Sequence, residues 1–477
     1  MMTTLALMAT TKAGPPIESA LTIYNDGFAL VREQRELELT DGPQSVLVEN
    51  VAQMIEANSV SVRSLSHPGS IRVLEQNYQY DLVSPMAILN KSVGQPIRFH
   101  RMLANGTKEV VSGTLISAPY ATVADANGGT GQTYNGMVIR TDSGGILLNP
   151  TGEIEVTELP AGLISRPSLE WVLDAKAGRN RIEFGYLTKG FSWKCDYVLS
   201  LDKEGKTGAL KAWVTLTNNS GTRYENAQVS LLAGEVNRVD ESRPRSSVPG
   251  GRGQAVTAGD APVTTQNLGE YYLYKVGRKV TVGDKSIKQV SLMEREGIQV
   301  QQELSMVLPR TRFGTIPSGP LTSGPLKPDV YTTFKNEESN QLGVALPKGI
   351  FKVFQADEEQ ESQFMGEDYI RHTPRNELVR IHTGKAFDIV VEYKRLSLHY
   401  LEEDRSRGSV ATYEVEVRNR KLAPVELLLL DYQYTSPDVE STIEMVRPDA
   451  STLQWKLNLK PNETLKFRYT VKNRTGV

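Results

Sequence analysis

FSWKCDYVLSLD, residues 191–202, carries the single cysteine of the chain between a tryptophan and a tyrosine. Phe191, Trp193, Cys195, Tyr197, Leu199 and Leu201 take the odd positions, while Ser192, Lys194, Asp196, Ser200 and Asp202 take all but one of the even ones. Successive side chains of a strand point to opposite faces, so this period of two predicts a half-buried β-strand with Cys195 on its apolar side. A cysteine placed there packs as a small hydrophobe. A nucleophilic thiol needs a histidine, a cation or a helix N-terminus to lower its pKa, and no histidine lies near Cys195 in sequence.

The same period returns along the chain. LQWKLNLK (453–460), LKFRYTVK (465–472) and YEVEVR (413–418) alternate apolar and polar residues without a fault, and FDIVVEYK (387–394) is strongly β-branched and aromatic. Turn signals such as Asp41-Gly42, Asn105-Gly106, Ser143-Gly144-Gly145 and Pro461-Asn462 separate the runs. The pattern predicts an all-β protein: several β-sandwich modules in series, an SH3-like or Sm-like small barrel, and few short helices. The two segments with helical spacing are NVAQMIEANSV (50–60) and SLEWVLDAKAG (168–178), the second of which reads equally well as strand.

At 477 residues the chain has room for three or four domains. Residues 1–16 read as a disordered leader, since the apolar patch Leu5–Ala9 has no Lys or Arg before it and is too short for a secretory signal. A small β domain is expected over 17–84. Five short strands joined by Gly-rich turns place the small barrel at 85–160, and a central sandwich follows over 161–404. An insertion at 238–268, rich in Pro, Gly and Ser and nearly devoid of large apolar residues, is predicted to be disordered. Residues 405–477 have the alternating strands of an immunoglobulin-like sandwich.

Fifty-four Lys and Arg nearly balance 56 Asp and Glu, and the 85–160 region lacks both a basic stripe and an aromatic platform. Nucleic acid is therefore not an expected partner. One cysteine excludes an intrachain disulfide framework and a cysteine-rich zinc site. No run approaches the roughly 18 apolar residues of a membrane-spanning helix. The motifs of α/β-hydrolases, zinc proteases, P-loops and dinucleotide-binding folds are absent from the sequence, so no catalytic or cofactor-binding residue is assigned and no cofactor is expected.

One stretch gathers functional groups, GEDYIRHTPRNELVRIHTGKAFD (366–388). A hairpin joining IRHT and VRIHT through Pro374-Arg375-Asn376 would bring Glu367, Asp368, His372 and His382 together, and two imidazoles with a carboxylate suit zinc or another divalent ion. The competing reading makes His372 a turn residue and puts His382 on a polar strand face.

Several stretches together resemble a known family. LTIYNDGFALVREQRELELTDG (21–42) and VAQMIEANSVSV (51–62) open the likeness. YLTKGFSWKCDYVLSLD (186–202), VTLTNNSGTRYENAQVSLLAGEVN (214–237), LPKGIFKVFQ (346–355), FMGEDYIRHTP (364–374) and TGKAFDIVVEYKR (383–395) continue it. They resemble bacterial proteins of the mucoidy-inhibitor-like family, whose main domain is of unknown function, most specifically over about 185–400. The resemblance implies an all-β protein of the cell envelope or periplasm and brings no catalytic residues with it. Two function classes follow: a non-enzymatic scaffold that binds a protein partner, or a metal-dependent or covalent hydrolase centred on 366–388 or on Cys195.

Overall fold

The computed structural model describes residues 10–79, 83–102, 106–118, 120–124, 130–134, 136–160, 163–234, 236–238, 263–269, 271–309, 321–322, 324–403, 406–433 and 436–476. The fold is all-β, with multiple sheets and, among these residues, one α-helix. The chain divides into two compact units. One comprises Met1–Ser192, Thr217–Val229 and Arg278–Ser286; the other comprises Trp193–Leu216, Ser230–Gly277 and Ile287–Val477.

The first unit contains a sandwich. Strands Glu18–Tyr24, Phe28–Leu39, Gly178–Lys189 and Ser61–Ser64 lie side by side in one sheet. Thr10–Lys12, Gly42–Glu49, Ser168–Ala175 and Ile71–Gln79 form the other. Alternation drives the packing: Leu169, Trp171 and Leu173 are buried, and the Trp171 ring meets Phe184 of the opposing sheet edge-on at 5.6 Å. Full burial of such a side chain contributes about 1.5–3 kcal/mol.

One ion pair is sealed inside this sandwich. Glu33 and Arg35, two residues apart and so on the same face of Phe28–Leu39, are each 2% exposed. Arg35 donates to Glu33 Oε2 from Nη2 at 2.7 Å and from Nε at 3.1 Å, and its Nη1 donates to the Glu49 carbonyl at 2.9 Å.

The segment expected as a small barrel is an open sheet of five strands, ordered Ile146–Leu148, Val138–Thr141, Lys108–Ser117, Pro96–Met102, Glu153–Val156. No barrel closes among the described residues. The sheet has its own core of Ile97, Phe99, Leu115 and Ile139, against which Leu89 of helix Pro85–Lys91 packs. Ser84 caps that helix, its Oγ accepting the Ala87 N–H at 3.0 Å, and Pro85 supplies the first turn.

One helical expectation is corrected, and the segment that read equally well as helix or strand is strand. Residues 50–60 hold only a 3-10 turn at Ala57–Ser59, and 168–178 holds strand Ser168–Ala175. In the second case pairing with Gly42–Glu49 on one side and Ile71–Gln79 on the other outweighs local propensity.

The second unit carries three five-stranded sheets. The first runs Ser286–Gln299, Thr207–Asn218, Phe191–Leu201, Gly349–Ala356, Ser362–Ile370. The second runs Leu378–Lys385, Asp329–Lys335, Gln301–Val307, Val425–Tyr432, Thr452–Leu459. The third runs Leu321–Thr322, Ile389–Glu403, Ser406–Asn419, Thr464–Gly476, Asp438–Ser441. The second and third share one core, built on Ile389, Val415, Leu427, Leu429, Trp455 and Tyr469.

Residues 1–9 of the expected leader and 239–262 of the expected insertion lie outside the described residues. The residues that follow each span are strands. Thr10–Lys12 pairs in parallel with Gly42–Glu49, and Val263–Leu268 pairs with Tyr271–Val276. No described helix is long and apolar enough to cross a membrane.

Candidate functional site

Cys195 sits at the centre of the first sheet of the second unit, where Phe191–Leu201 runs parallel to Gly349–Ala356 with Cys195 opposite Gly349. A side chain at 349 would drive its Cβ into the Cys195 carbonyl oxygen, so the close approach of the two strands requires glycine. Tyr197 stacks on Phe351 at 4.2 Å and donates to the Pro347 carbonyl at 2.7 Å, while Trp193 meets Tyr274 at 6.3 Å. Cys195 is 1% exposed, and burial pushes its thiol up to about 12. At neutral pH it is a protonated core residue. Native protein should leave a thiol reagent unconsumed at pH 8 and react only after denaturation; rapid labelling of the native chain would contradict this placement.

The stretch 366–388 takes a different shape from a hairpin ladder. Ser362–Ile370 closes the first sheet and Leu378–Lys385 the second, and the turn between them is set by Pro374 and by Asn376 at φ 66°. The strands meet at a seam. Asp368 Oδ2 accepts the His382 backbone N–H at 2.8 Å, and Gly366, at φ 148°, lies so close to the Thr383 carbonyl that a Cβ would collide with it.

Of the four candidate residues, Asp368 and His382 are brought together, through a main-chain bond. The His382 ring turns to Asp329, with Nε2 3.1 Å from Oδ1, and Lys385 Nζ donates to the same oxygen at 2.8 Å. Partial burial raises the Asp329 pKa, but Lys385 and His382 outweigh it and hold the carboxyl below its usual range. Beside this group Arg380 lies 3.4 Å over the Tyr331 ring and donates to Glu303 at 2.7 Å.

His372 belongs to another segment: its Nδ1 accepts the Lys348 N–H at 3.1 Å, next to the bridge between Leu346 and Thr373. Glu367 is exposed and lies opposite Lys352 in the ladder. Among the described residues no group of three or more His, Cys, Asp or Glu side chains is placed to hold a metal ion.

The alternation pattern did not single out the outermost strand of the first sheet, Ser362–Ile370. Phe364, Met365 and Tyr369 are 56%, 43% and 57% exposed, and Phe364 packs edge-on against Phe354 at 5.4 Å. A bulge opposite Val353 and Phe354 shifts the register where Met365 meets Gly366. A family model, that of a domain of unknown function (DUF4139), matches residues 182–475. The chain belongs to this DUF4139 family. No curated protein matches the chain. The DUF4139 match takes in both the Cys195 strand and the Ser362–Ile370 edge, and it continues past residue 400 through the sandwich centred on Trp455. A signal for the edge is present in QFMGEDY (363–369), where large apolar residues are followed at once by glycine and two acids instead of alternating with polar ones.

Proposed function

We propose that this DUF4139 protein is a non-enzymatic β scaffold that receives a protein partner along Ser362–Ile370, at the bacterial cell envelope. The exposure of Phe364, Met365 and Tyr369 on the last strand of a sheet carries the reading. A terminal strand presents unpaired backbone donors and acceptors to an incoming strand, and exposed aromatic residues supply the anchors that such contacts use. The seam at Gly366 and Asp368 closes one half of that edge, which leaves residues 362–365 for main-chain pairing. The envelope location rests on the resemblance to mucoidy-inhibitor-like proteins.

The hydrolase reading would use His382 as a base oriented by Asp329, and the two readings separate experimentally. A photoreactive phenylalanine analogue at position 364 should give a discrete cross-linked adduct in the envelope fraction of bacterial cells. The adduct should disappear with Tyr369→Lys and persist with His382→Ala. No adduct, or one indifferent to Tyr369→Lys, would remove the scaffold reading. A hydrolytic activity abolished by His382→Ala would replace it.

A further inference from the structure

Hydrogen-bond alternation decides which residues face outward along the free half of the Ser362–Ile370 edge. The Asp357 N–H donates to the Glu361 carbonyl at 2.9 Å, so the ladder between Gly349–Ala356 and Ser362–Ile370 starts from a hydrogen-bonded pair. Such pairs alternate along an antiparallel ladder. Gln363, opposite Gln355, therefore turns its main chain inward, while Ser362 and Phe364, opposite Ala356 and Phe354, turn theirs to the open side. These two residues present the N–H and C=O groups that an incoming strand would meet, with the exposed Phe364 ring beside them.

The turn that leads into this half is acidic. Asp357, Glu358, Glu359 and Glu361 stand within five residues, interrupted only by Gln360. Asp357 is committed to the turn: its Oδ1 accepts the Glu359 and Glu361 N–H groups at 3.0 and 2.9 Å, and its Oδ2 accepts the Gln363 side-chain amide at 2.8 Å. Glu358 lies 3.6 Å from Lys203. Glu359 and Glu361 are exposed, and among the described residues their carboxylates form no ion pair. The turn closes without them, through Asp357 and through Gln360 at φ 64°. Over the whole chain Lys and Arg nearly match Asp and Glu, so this excess is local. Opposite charges on neighbouring strands attract and like charges repel, so an uncompensated acidic end beside open main-chain groups favours a basic strand over a neutral or acidic one.

We propose that the partner strand is basic: an extended segment of polypeptide that pairs with the main chain of Ser362 and Phe364, seats an apolar residue on the Phe364 ring, and lays neighbouring Lys or Arg residues along Glu359 and Glu361. This rests on the reading of the edge as a partner site and adds the chemistry of what it takes. The test measures binding of the full chain to three end-capped peptides, each a core of alternating Val and Thr flanked at both ends by Lys, by Ser or by Glu. The Lys-flanked peptide should bind roughly five-fold more tightly than the Ser-flanked one, with the Glu-flanked one weakest, and rising salt should narrow the spread. E359Q/E361Q should remove the preference and melt like the parent, because both side chains are exposed. Phe364→Ala, which leaves the charge unchanged, should weaken the Lys-flanked peptide roughly ten-fold. Equal binding of the Lys-flanked and Ser-flanked peptides, both weakened in Phe364→Ala, would overturn the basic partner and leave the edge reading standing. Tighter binding by E359Q/E361Q than by the parent would mean that the acids guard the edge against pairing, and would overturn the proposal too. Binding indifferent to Phe364→Ala, or no binding of any peptide, would count against the edge itself and overturn both.

Discussion

Arg35→Ala is expected to cost about 3–5 kcal/mol, because it strands the Glu33 carboxylate inside the sandwich of the first unit. The guanidinium supplies both bonds to Glu33 Oε2, caps the Glu49 carbonyl, and lies 5.5 Å from the Phe184 ring centroid. Burial already raises the Glu33 pKa against the opposing pull of Arg35, so removing Arg35 raises it further. A carboxyl whose folded pKa exceeds its unfolded one loses stability as pH rises from the unfolded pKa to the folded one. The deficit of the variant should therefore be largest at neutral pH and shrink toward pH 4. Hydrogen exchange of the amides in Phe28–Leu39 would measure it locally. A companion E33Q/R35M, which removes both charges, should recover most of the loss. A cost below about 1 kcal/mol for Arg35→Ala at pH 7 would show that Glu33 finds other solvation.

Trp455→Ala is the second large effect, at about 3–5 kcal/mol. Trp455 is fully buried, 4.7 Å from Tyr469 and 5.5 Å from Phe467. It also backs a polar network, because Tyr469 donates to the buried Asp431 carboxylate at 2.8 Å. The void would let Tyr469 tilt and weaken that bond. Faster exchange should appear in Thr452–Leu459 and Thr464–Gly476 together; exchange confined to the substituted strand would mean the cavity collapses without touching the Tyr469 bond.

Period-two alternation shows which residues face inward, and it did so for Cys195, Trp455 and Phe467 because each lies in a strand with one apolar face. It does not show which strands become neighbours. The pairing of Cys195 with Gly349 and of Gln301–Val307 with Val425–Tyr432 joins distant segments, and no local pattern marks such partners. The helix Pro85–Lys91 escaped notice although Ser84-Pro85 is a capping signal, since only seven residues follow it. The His382 region was legible as a concentration of polar groups. Its geometry was not, because Asp329, the residue that holds the ring, lies 53 positions upstream.

The parallel pairing of Phe191–Leu201 with Gly349–Ala356 also governs how the chain comes off the ribosome. Tyr197 and the Pro347 carbonyl it binds are 150 residues apart, so at about 5–20 residues per second the first strand waits roughly 8–30 s for its partner. Through that interval one edge of a strand bearing Trp193, Cys195 and Tyr197 has no ladder, and the loop that must close is long. Yield of this protein in a cell is thus tied to the supply of holding chaperones during synthesis, and slowing translation after residue 202 would lengthen the vulnerable period and lower the soluble fraction.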